Sequence, residues 1–244
     1  MQSPSFAIAE CANFTVKMCD LAHKTALSAM QLIDHWDSKI ADEVLAAEDK
    51  LDNYEDKLGS FLVKISSKDL SDKDSQTVSK LLHSIGDFER IGDHSVNLLD
   101  AAREMHEKQL NFSPEARSEI AVATSALTEI LDITANAFNN NDPVMAERVE
   151  PLEEVIDQLM VEIKDRHIAR LKSGKCTIEL GFILSDLMNN YERISDHCSN
   201  IAVCVIEISQ DRFDTHEYLH AIKSGSDKSF TDYFNDFSRK YTII

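Results

Sequence analysis

The stretch Asp-Phe-Glu-Arg-Ile-Gly-Asp-His-Ser-Val-Asn occupies residues 87–97, and most of it recurs as Tyr-Glu-Arg-Ile-Ser-Asp-His-Cys-Ser-Asn at residues 191–200. Six residues of the first copy have an identical counterpart 103 positions later, among them the polar residues Glu89, Asp93, His94 and Asn97. No gap is needed to align the two copies. The chain therefore contains an internal duplication, and we predict two halves related by a pseudo-twofold axis.

Each copy of the motif carries a row of oxygen-bearing side chains. Glu89, Asp93 and Asn97 follow one another at intervals of four residues, which places them on one face of a helix. Carboxylates on adjacent turns repel each other unless a cation or the hydrogen-bond donors of a partner helix lie between them. The row therefore predicts a ligand.

The composition favours a helical protein that does not bind nucleic acid. The chain of 244 residues has only six Gly and four Pro, and its apolar residues recur at intervals of three and four. A formal net charge of −18 repels phosphate backbones and anionic lipids, and no local basic stripe is evident in the sequence. Five cysteines at no zinc-ligand spacing indicate a reducing compartment. Because there is neither a long apolar run nor a signal-peptide pattern, we expect a cytoplasmic location.

Capping residues and apolar periodicity divide most of the chain into six long helices. Ser-Pro pairs predict the starts of the first and fourth helices, and Asp-Ser at residues 37–38 predicts the start of the second. Asp142 and Pro143 predict the start of a fifth helix that continues unbroken to Leu171. The third and sixth helices carry the two copies of the motif.

Long antiparallel helices joined by short turns bury their apolar stripes best as bundles. We therefore predict an all-α fold of two tandem three-helix bundles, residues 1–111 and 112–213, followed by a short helical tail at residues 214–244. The tail is rich in aromatic residues, and we expect it to dock as one or two short helices onto a bundle or a neighbouring protomer. Gly86 and Gly92 each weaken a helix by about 0.5–1 kcal/mol relative to Ala, so we expect a helix or a ligand to approach closely at both.

Acidic pairs on the second and fifth helices match the acidic pairs of the two motifs. Glu48 and Asp52 lie four residues apart on the second helix, and Glu153 and Asp157 on the fifth. If the second and third helices of each bundle face each other, four carboxylates converge in each half. Oxygen ligands in that number suit iron, manganese, magnesium or calcium, whereas zinc is less natural without Cys or His.

The alternative is that these acids are ordinary exposed residues of an acidic protein, which is the better interpretation of any single pair. The duplication argues against it, because a shared pattern of Asp, Asn and His is hard to explain by helix propensity. Arg90 and Arg193 are interpreted as salt-bridge partners of neighbouring acids. For His94 and His197, a polar position at a helix interface and support for a metal ligand are equally good interpretations.

The two copies closely resemble the signature of the PhoU family, and the resemblance extends over about residues 10–210. Members of that family are two tandem three-helix bundles with a Glu/Asp-x-x-x-Asp motif on two helices of each bundle. The resemblance implies multinuclear metal clusters, of iron or zinc in known members, and a role in regulating phosphate uptake rather than in catalysis. It assigns metal binding to eight residues: Glu48, Asp52, Glu89, Asp93, Glu153, Asp157, Glu192 and Asp196.

The two ends of the chain resemble the cytoplasmic C-terminal part of bacterial sodium/phosphate cotransporter-type membrane proteins. The stretches concerned are Ser-Pro-Ser-Phe-Ala-Ile-Ala-Glu-Cys-Ala at residues 3–12 and His-Glu-Tyr-Leu-His-Ala-Ile-Lys-Ser-Gly at residues 216–225. This resemblance implies a cytoplasmic domain of an inner-membrane protein. Its partner would be a membrane phosphate transporter, either its own membrane part or a separate protein, and a homo-oligomer is also open.

Three further functions are considered beside that one. The chain could be a stand-alone PhoU-type regulator of phosphate uptake, a metal-free helical adaptor, or a di-metal carboxylate enzyme of the ferritin type. The ferritin-type site uses Glu-x-x-His, whereas His94 is the fifth residue after Glu89 and points elsewhere on the helix. We therefore expect no enzymatic activity.

Overall fold

The computed structural model describes residues 4–209 and 228–243, and the regular secondary structure of these residues is helical. The described part contains eight helices: α1 Pro4–Asp34, α2 Ser38–Ser66, α3 Asp72–Glu107, α4 Pro114–Asn140, α5 Pro143–Ala146, α6 Val149–Lys172, α7 Ile178–Ser209 and α8 Lys228–Lys240. No helix among them has both the length and the apolar character that spanning a membrane would require.

Capping residues predicted from the sequence hold three of the helix starts. The carboxylate of Asp37 accepts hydrogen bonds from two backbone N–H groups in the first turn of α2, at 2.8 and 3.3 Å. Ser113 accepts a 3.2 Å bond from a first-turn N–H of α4, and Asp142 accepts two such bonds at α5. Proline follows Ser113 and Asp142 directly, where its missing N–H removes no helical hydrogen bond.

The prediction of one unbroken fifth helix is wrong, because that segment forms two helices. α5 ends at Ala146 and α6 begins at Val149, with a turn at residues 147–148. Pro151 lies in the first turn of α6, where it has no N–H to donate and its ring clashes with the carbonyl four residues earlier. The equivalent residue in the first half, 105 positions earlier, is Ala46, and α2 is unbroken.

The helices pack as two three-helix bundles, α1 with α2 and α3, and α4 with α6 and α7. Because α3 also packs along α7 and α1 against α4, the two bundles share one hydrophobic core, which includes Cys11, Cys19 and Cys198. The predicted boundary after residue 111 falls between α3 and α4, and the boundary at residue 213 lies outside the described residues. The all-α fold of two tandem bundles is thus confirmed.

The described part of the predicted tail is α8, which docks on the second bundle against α6. Phe237 and Tyr241 are buried there, and the Tyr241 hydroxyl donates a 2.5 Å hydrogen bond to Glu129 of α4. The guanidinium of Arg148 lies 5.8 and 6.0 Å from the ring centres of Tyr233 and Phe237. The tail helix is therefore held by aromatic burial and by charged partners. Residues 214–227 of the predicted tail, which include Tyr218, lie outside the described residues.

The two glycines inside α3 have different surroundings. A Cβ atom on Gly92 would lie 2.6 Å from Cδ1 of Leu51 on α2, so close helix approach explains this glycine. A Cβ atom on Gly86 would meet nothing within 4 Å. A close approach by a neighbouring helix is therefore confirmed at Gly92. At Gly86 the described residues leave open space, so the approach of a ligand stays a prediction there.

Candidate functional site

The repeated motif forms the centre of the interface between the two bundles. In the first copy, Nδ1 of His94 lies 2.9 Å from Oδ1 of Asn190 on α7, and Asn97 donates to the same oxygen at 3.1 Å. Since Oδ1 is an acceptor, His94 carries its proton on Nδ1 in this arrangement. The first bundle is thus hydrogen-bonded to the second through the histidine and asparagine of its motif.

The second copy makes the same contacts in the opposite direction. His197 Nδ1 lies 2.9 Å from Oδ1 of Asp87, and Asn200 donates to that oxygen at 3.3 Å. The rings of His94 and His197 stack with their centres 5.6 Å apart. These mirrored contacts support the predicted pseudo-twofold axis and place it at the histidine pair.

This interface corrects one expectation and decides another. Asn97 and Asn200 were expected to extend the two acidic rows, but their amides bind the opposite bundle instead. The histidines occupy polar positions at a helix interface, which was one of the two interpretations left open. Their acceptors, Asp87 and Asn190, were missed, although these two residues are themselves 103 positions apart.

The first acidic cluster comprises Glu48 and Asp52 of α2 with Glu89 and Asp93 of α3. Carboxylate oxygens of Glu48, Asp52 and Asp93 all lie within 4.8 Å of one another. Asp52 is exposed and the other members are half-buried. The sequence prediction that the second and third helices bring their acids together therefore holds for these three residues.

The electrostatic state of the first cluster reflects this crowding. Burial raises the pKa of Glu89 to about 7, with the Asp93 carboxylate adding to the effect. Burial, Asp52 and Asp93 also raise the pKa of Glu48. Arg90 offsets only part of the repulsion, because its guanidinium lies 3.6 Å from Glu89 and 3.4 Å from Asp93 while its side chain is 61% exposed. An oxygen cage of this kind is stabilised by a multivalent cation.

The second acidic cluster comprises Glu153 and Asp157 of α6 with Glu192 and Asp196 of α7. Glu153 is buried, with 6% of its surface exposed. Within residues 4–209 and 228–243, three carboxylates gather within 4.8 Å in the first cluster but not in this one. The second cluster therefore has the predicted residues on the predicted helices, without the close convergence of oxygens.

A lysine accompanies the second cluster and has no equivalent in the first. The ammonium of Lys164 lies 3.5 Å from Glu192 Oε2 and donates a 2.9 Å hydrogen bond to Asn189 Oδ1. The equivalent residues of the first half are Gly59, 105 positions earlier, and Gly86, 103 positions earlier. Arg193 contacts Asp196 at 3.4 Å, as Arg90 contacts Asp93, so the salt-bridge interpretation of both arginines is confirmed.

A cavity of about 710 Å³ adjoins the first cluster, between α2, α3 and α7. Glu55, Gly86 and Glu89 line it on one side, and His197 and Glu207 on the other. Gly86, which lines the cavity, is equivalent to Asn189 of the second half. Solvent or a small ligand can therefore reach the first cluster beside Glu89.

The donor set of both clusters fits a hard cation. All eight predicted ligands are carboxylates, and the nearby histidines bind the opposite bundle rather than the clusters. Carboxylate oxygens suit magnesium, manganese, calcium or iron better than they suit zinc. The same geometry argues against a ferritin-type di-metal site, which requires a histidine beside each paired glutamate.

Two tandem three-helix bundles with paired carboxylates on the second and third helix of each define a particular class of helical protein. The PhoU domain family matches residues 15–102 and 123–205, which is one match in each bundle. The chain belongs to this family. The helix α8 and the segment before it lie beyond the matched residues.

Curated relatives and solved structures agree with this assignment. The chain is 24% identical over 212 residues to the phosphate-specific transport system accessory protein PhoU homolog 1 of Thermotoga maritima, spanning 86% of this chain and 90% of that protein. It is 21% identical over 191 residues to the phosphate-specific transport system accessory protein PhoU homolog of Xylella fastidiosa. That match spans 78% of this chain and 80% of that protein.

The crystal structure of PhoU from Pseudomonas aeruginosa has a TM-score of 0.77 at 22% identity and covers 84% of this chain and 98% of that chain. The crystal structure of the phosphate transport system regulatory protein PhoU from Streptococcus pneumoniae has a TM-score of 0.76 at 17% identity. It covers 87% of this chain and 99% of that chain. At these identities the structures establish the shared fold.

Proposed function

We propose that this protein is a PhoU-type regulator of phosphate transport that acts in the cytoplasm and is not an enzyme. The family match in both bundles carries this proposal, and the relatives described above are named as accessory proteins of phosphate-specific transport systems. Its expected partner is a membrane phosphate transporter. Deleting the gene in its host should alter phosphate uptake and the phosphate-starvation response, and the full chain should restore both.

We favour an accessory protein over the cytoplasmic domain of a sodium/phosphate cotransporter-type protein. The relatives support this choice because they are named as accessory proteins and match over most of their own length. The resemblance of the chain ends to the cotransporter type supports the alternative hypothesis, a cytoplasmic domain of a cotransporter-type protein. An immunoblot of host membrane and soluble fractions separates the two. A band near 27.5 kDa supports the accessory protein, and a much larger band confined to the membrane fraction supports the cotransporter.

We further propose that the two acidic clusters bind metal ions that hold the second and third helix of each bundle together. The supporting observation is the approach of three carboxylate oxygens within 4.8 Å in the first cluster. A bound cation would supply positive charge that relieves the repulsion among these carboxylates. The chain's own contribution is to fix the carboxylates on two helices, with Arg90 across the rim of the first cluster.

Elemental analysis of the full chain purified without chelator tests the metal proposal. We expect a multivalent metal in the wild type and a smaller amount in each of Asp93→Asn and Asp196→Asn. Removing the metal should lower the melting temperature, because the cation binds only the folded arrangement. If no metal is found and chelator leaves the melting temperature unchanged, the protein is a metal-free helical adaptor. In the second cluster, the ion pair of Lys164 with Glu192 already neutralises part of the negative charge, which favours the metal-free adaptor.

A further inference from the structure

A stripe of alternating basic and aromatic residues runs along the exposed side of α2. Lys50, Tyr54, Lys57, Phe61 and Lys64 follow one another at alternating intervals of four and three residues, so they share one side of the helix. The three lysines are exposed, and Phe61 has 45% of its surface accessible.

Phe14 of the neighbouring helix α1 extends this stripe. It is 41% exposed, and its ring centre lies 6.4 Å from that of Tyr54. The ammonium of Lys17 lies 4.7 Å from the Phe14 ring centre, which adds another positive charge. We call the surface formed by Phe14, Lys50, Tyr54, Lys57, Phe61 and Lys64 the basic aromatic face.

The positive charge of this face is not neutralised within the bundle. Across the residues that the structure describes, Lys50, Lys57 and Lys64 form no ion pair with a carboxylate. Lys164 and Lys240 of the second bundle and its tail, by contrast, contact Glu192 and Glu129. The expectation that the chain has no local basic stripe is therefore wrong for α2, whose three lysines have no carboxylate partner among the described residues.

The equivalent side of the second bundle is covered by a helix of the chain itself. The residue 105 positions after Phe61 is Arg166, which donates a 3.1 Å hydrogen bond to the carbonyl of Ile243 just after α8. The position equivalent to Glu43 of α2 is Arg148, which lies over the rings of Tyr233 and Phe237 of α8. Within the described residues, α8 therefore packs with its aromatic side chains against this side of the second bundle, and no helix packs against the equivalent side of the first bundle.

We propose that the basic aromatic face is the docking surface for an amphipathic helix of a partner protein, with apolar residues on one side and acidic residues beside them. The seat of α8 on the equivalent side supplies the geometry, and the three lysines supply the charge complementarity. A second copy of the chain is a poor occupant, because two identical lysine faces repel. The chain's own α8 is already seated on α6.

This docking surface is separate from the acidic clusters. Lys50 follows Glu48 by two residues, a rotation of about 200° around the helix axis, so the cluster and the face lie on different sides of α2. The inference does not rest on the proposed function. A helix can bind whether or not the clusters hold metal, and measuring both forms of the protein keeps the two proposals distinguishable.

The test uses the full chain and a fluorescent synthetic peptide of about five helical turns, with Leu and Phe on one face and Glu on the others. A matched peptide carries Lys in place of every Glu. By fluorescence anisotropy, we expect the wild type to bind the Glu peptide at least about tenfold more tightly than the Lys peptide. The triple variant Lys50→Glu, Lys57→Glu, Lys64→Glu should lose about tenfold or more of this affinity.

A matched control carries the same charge change elsewhere, at the exposed residues Lys172, Lys175 and Lys228, and should bind the Glu peptide as the wild type does. Phe61→Ser should weaken binding without changing the charge. The melting temperature of every variant confirms that it is folded. If the triple variant does not fold, the corresponding Lys→Gln variant replaces it.

Three results would overturn the proposal. The first is that the two peptides bind equally, and the second is that the control variant weakens binding as much as the triple variant does. The third is that the triple variant loses binding to phosphatidylglycerol vesicles, or loses a concentration-dependent dimer, while its peptide affinity is unchanged. These last outcomes would assign the face to a lipid surface or to a second copy of the chain.

Discussion

The two acidic clusters each carry two Glu and two Asp residues at equivalent positions, but their neighbours differ. The first half has glycines at residues 59 and 86, and its cluster adjoins a cavity of about 710 Å³. The second has Lys164 and Asn189 at the equivalent positions, and the ammonium of Lys164 contacts both Asn189 and Glu192. Each cluster therefore has an arginine beside its acids, and the second has the ammonium of Lys164 in addition.

This difference shows that a repeated motif does not ensure a repeated site. The duplication places four carboxylates on two helices in each half. Residues that differ between the halves decide how much of the negative charge of these carboxylates is neutralised. We infer that the first cluster binds a multivalent cation more strongly than the second.

Removing one ligand from each cluster should have the largest effect. Asp93→Asn removes an oxygen that lies within 4.8 Å of those of Glu48 and Asp52, so we expect at least about a tenfold loss of manganese affinity. Asp196→Asn should cause a smaller loss, because Lys164 already competes for the second cluster. Isothermal titration calorimetry with Mn²⁺ and elemental analysis measure both. Equal losses in the two variants would contradict the inferred difference between the clusters.

Exchanging the lysine between the two halves should change the Mn²⁺ affinity of the two clusters in opposite directions. Lys164→Met removes the charge while keeping a long side chain, and we expect the second cluster to bind Mn²⁺ about tenfold more tightly. Gly59→Lys should weaken the first cluster. A Cβ atom is accommodated at this position, because it meets only ordinary contacts at 3.6 and 3.7 Å. Lys172→Met, on the same helix but exposed, is the control and should change nothing.

The sequence predicted much of this arrangement because the information is local. Asp142 and Pro143 mark a helix start in any tertiary context, and the spacing of Glu48 and Asp52 fixes them on one side of α2. The break before α6 was missed because the apolar periodicity from Val149 onward continues through Pro151. The partners of His94 and Lys164 depend on which helices meet, and no local pattern specifies that.

The pH dependence of stability offers a further test of charge crowding in the first cluster. The folded-state pKa of Glu89, about 7, is above its ordinary value, so folding favours the protonated form. The corresponding stability is fully present below about pH 4.5 and is lost as the pH rises through about 7. The melting temperature of metal-free protein should therefore fall by a few degrees between about pH 5 and pH 7.5, since 1 kcal/mol shifts it by about 2–4 °C.

Glu89→Gln should reduce this fall, and saturating Mn²⁺ should reduce it in the wild type. Glu107→Gln, at an exposed carboxylate outside both clusters, is the matched control and should retain the wild-type profile. A profile that Glu89→Gln leaves unchanged would show that this carboxylate is not the group responsible.

The smallest expected effect is at Gly86, where the first half lacks the side chain that Asn189 supplies in the second. A Cβ atom there meets nothing within 4 Å, and the residue lies inside α3, so Gly86→Ala should stabilise the protein by about 0.5–1 kcal/mol through its helix propensity. Differential scanning calorimetry should then show a melting temperature higher by about 1–4 °C. Gly92→Ala is the contrasting variant, since its Cβ atom would lie 2.6 Å from Cδ1 of the fully buried Leu51, and we expect it to destabilise by about 1–3 kcal/mol. If Gly86→Ala lowers the melting temperature instead, the space beside Gly86 is filled in solution. The first cluster would then be as closed at this position as the second cluster is at Asn189.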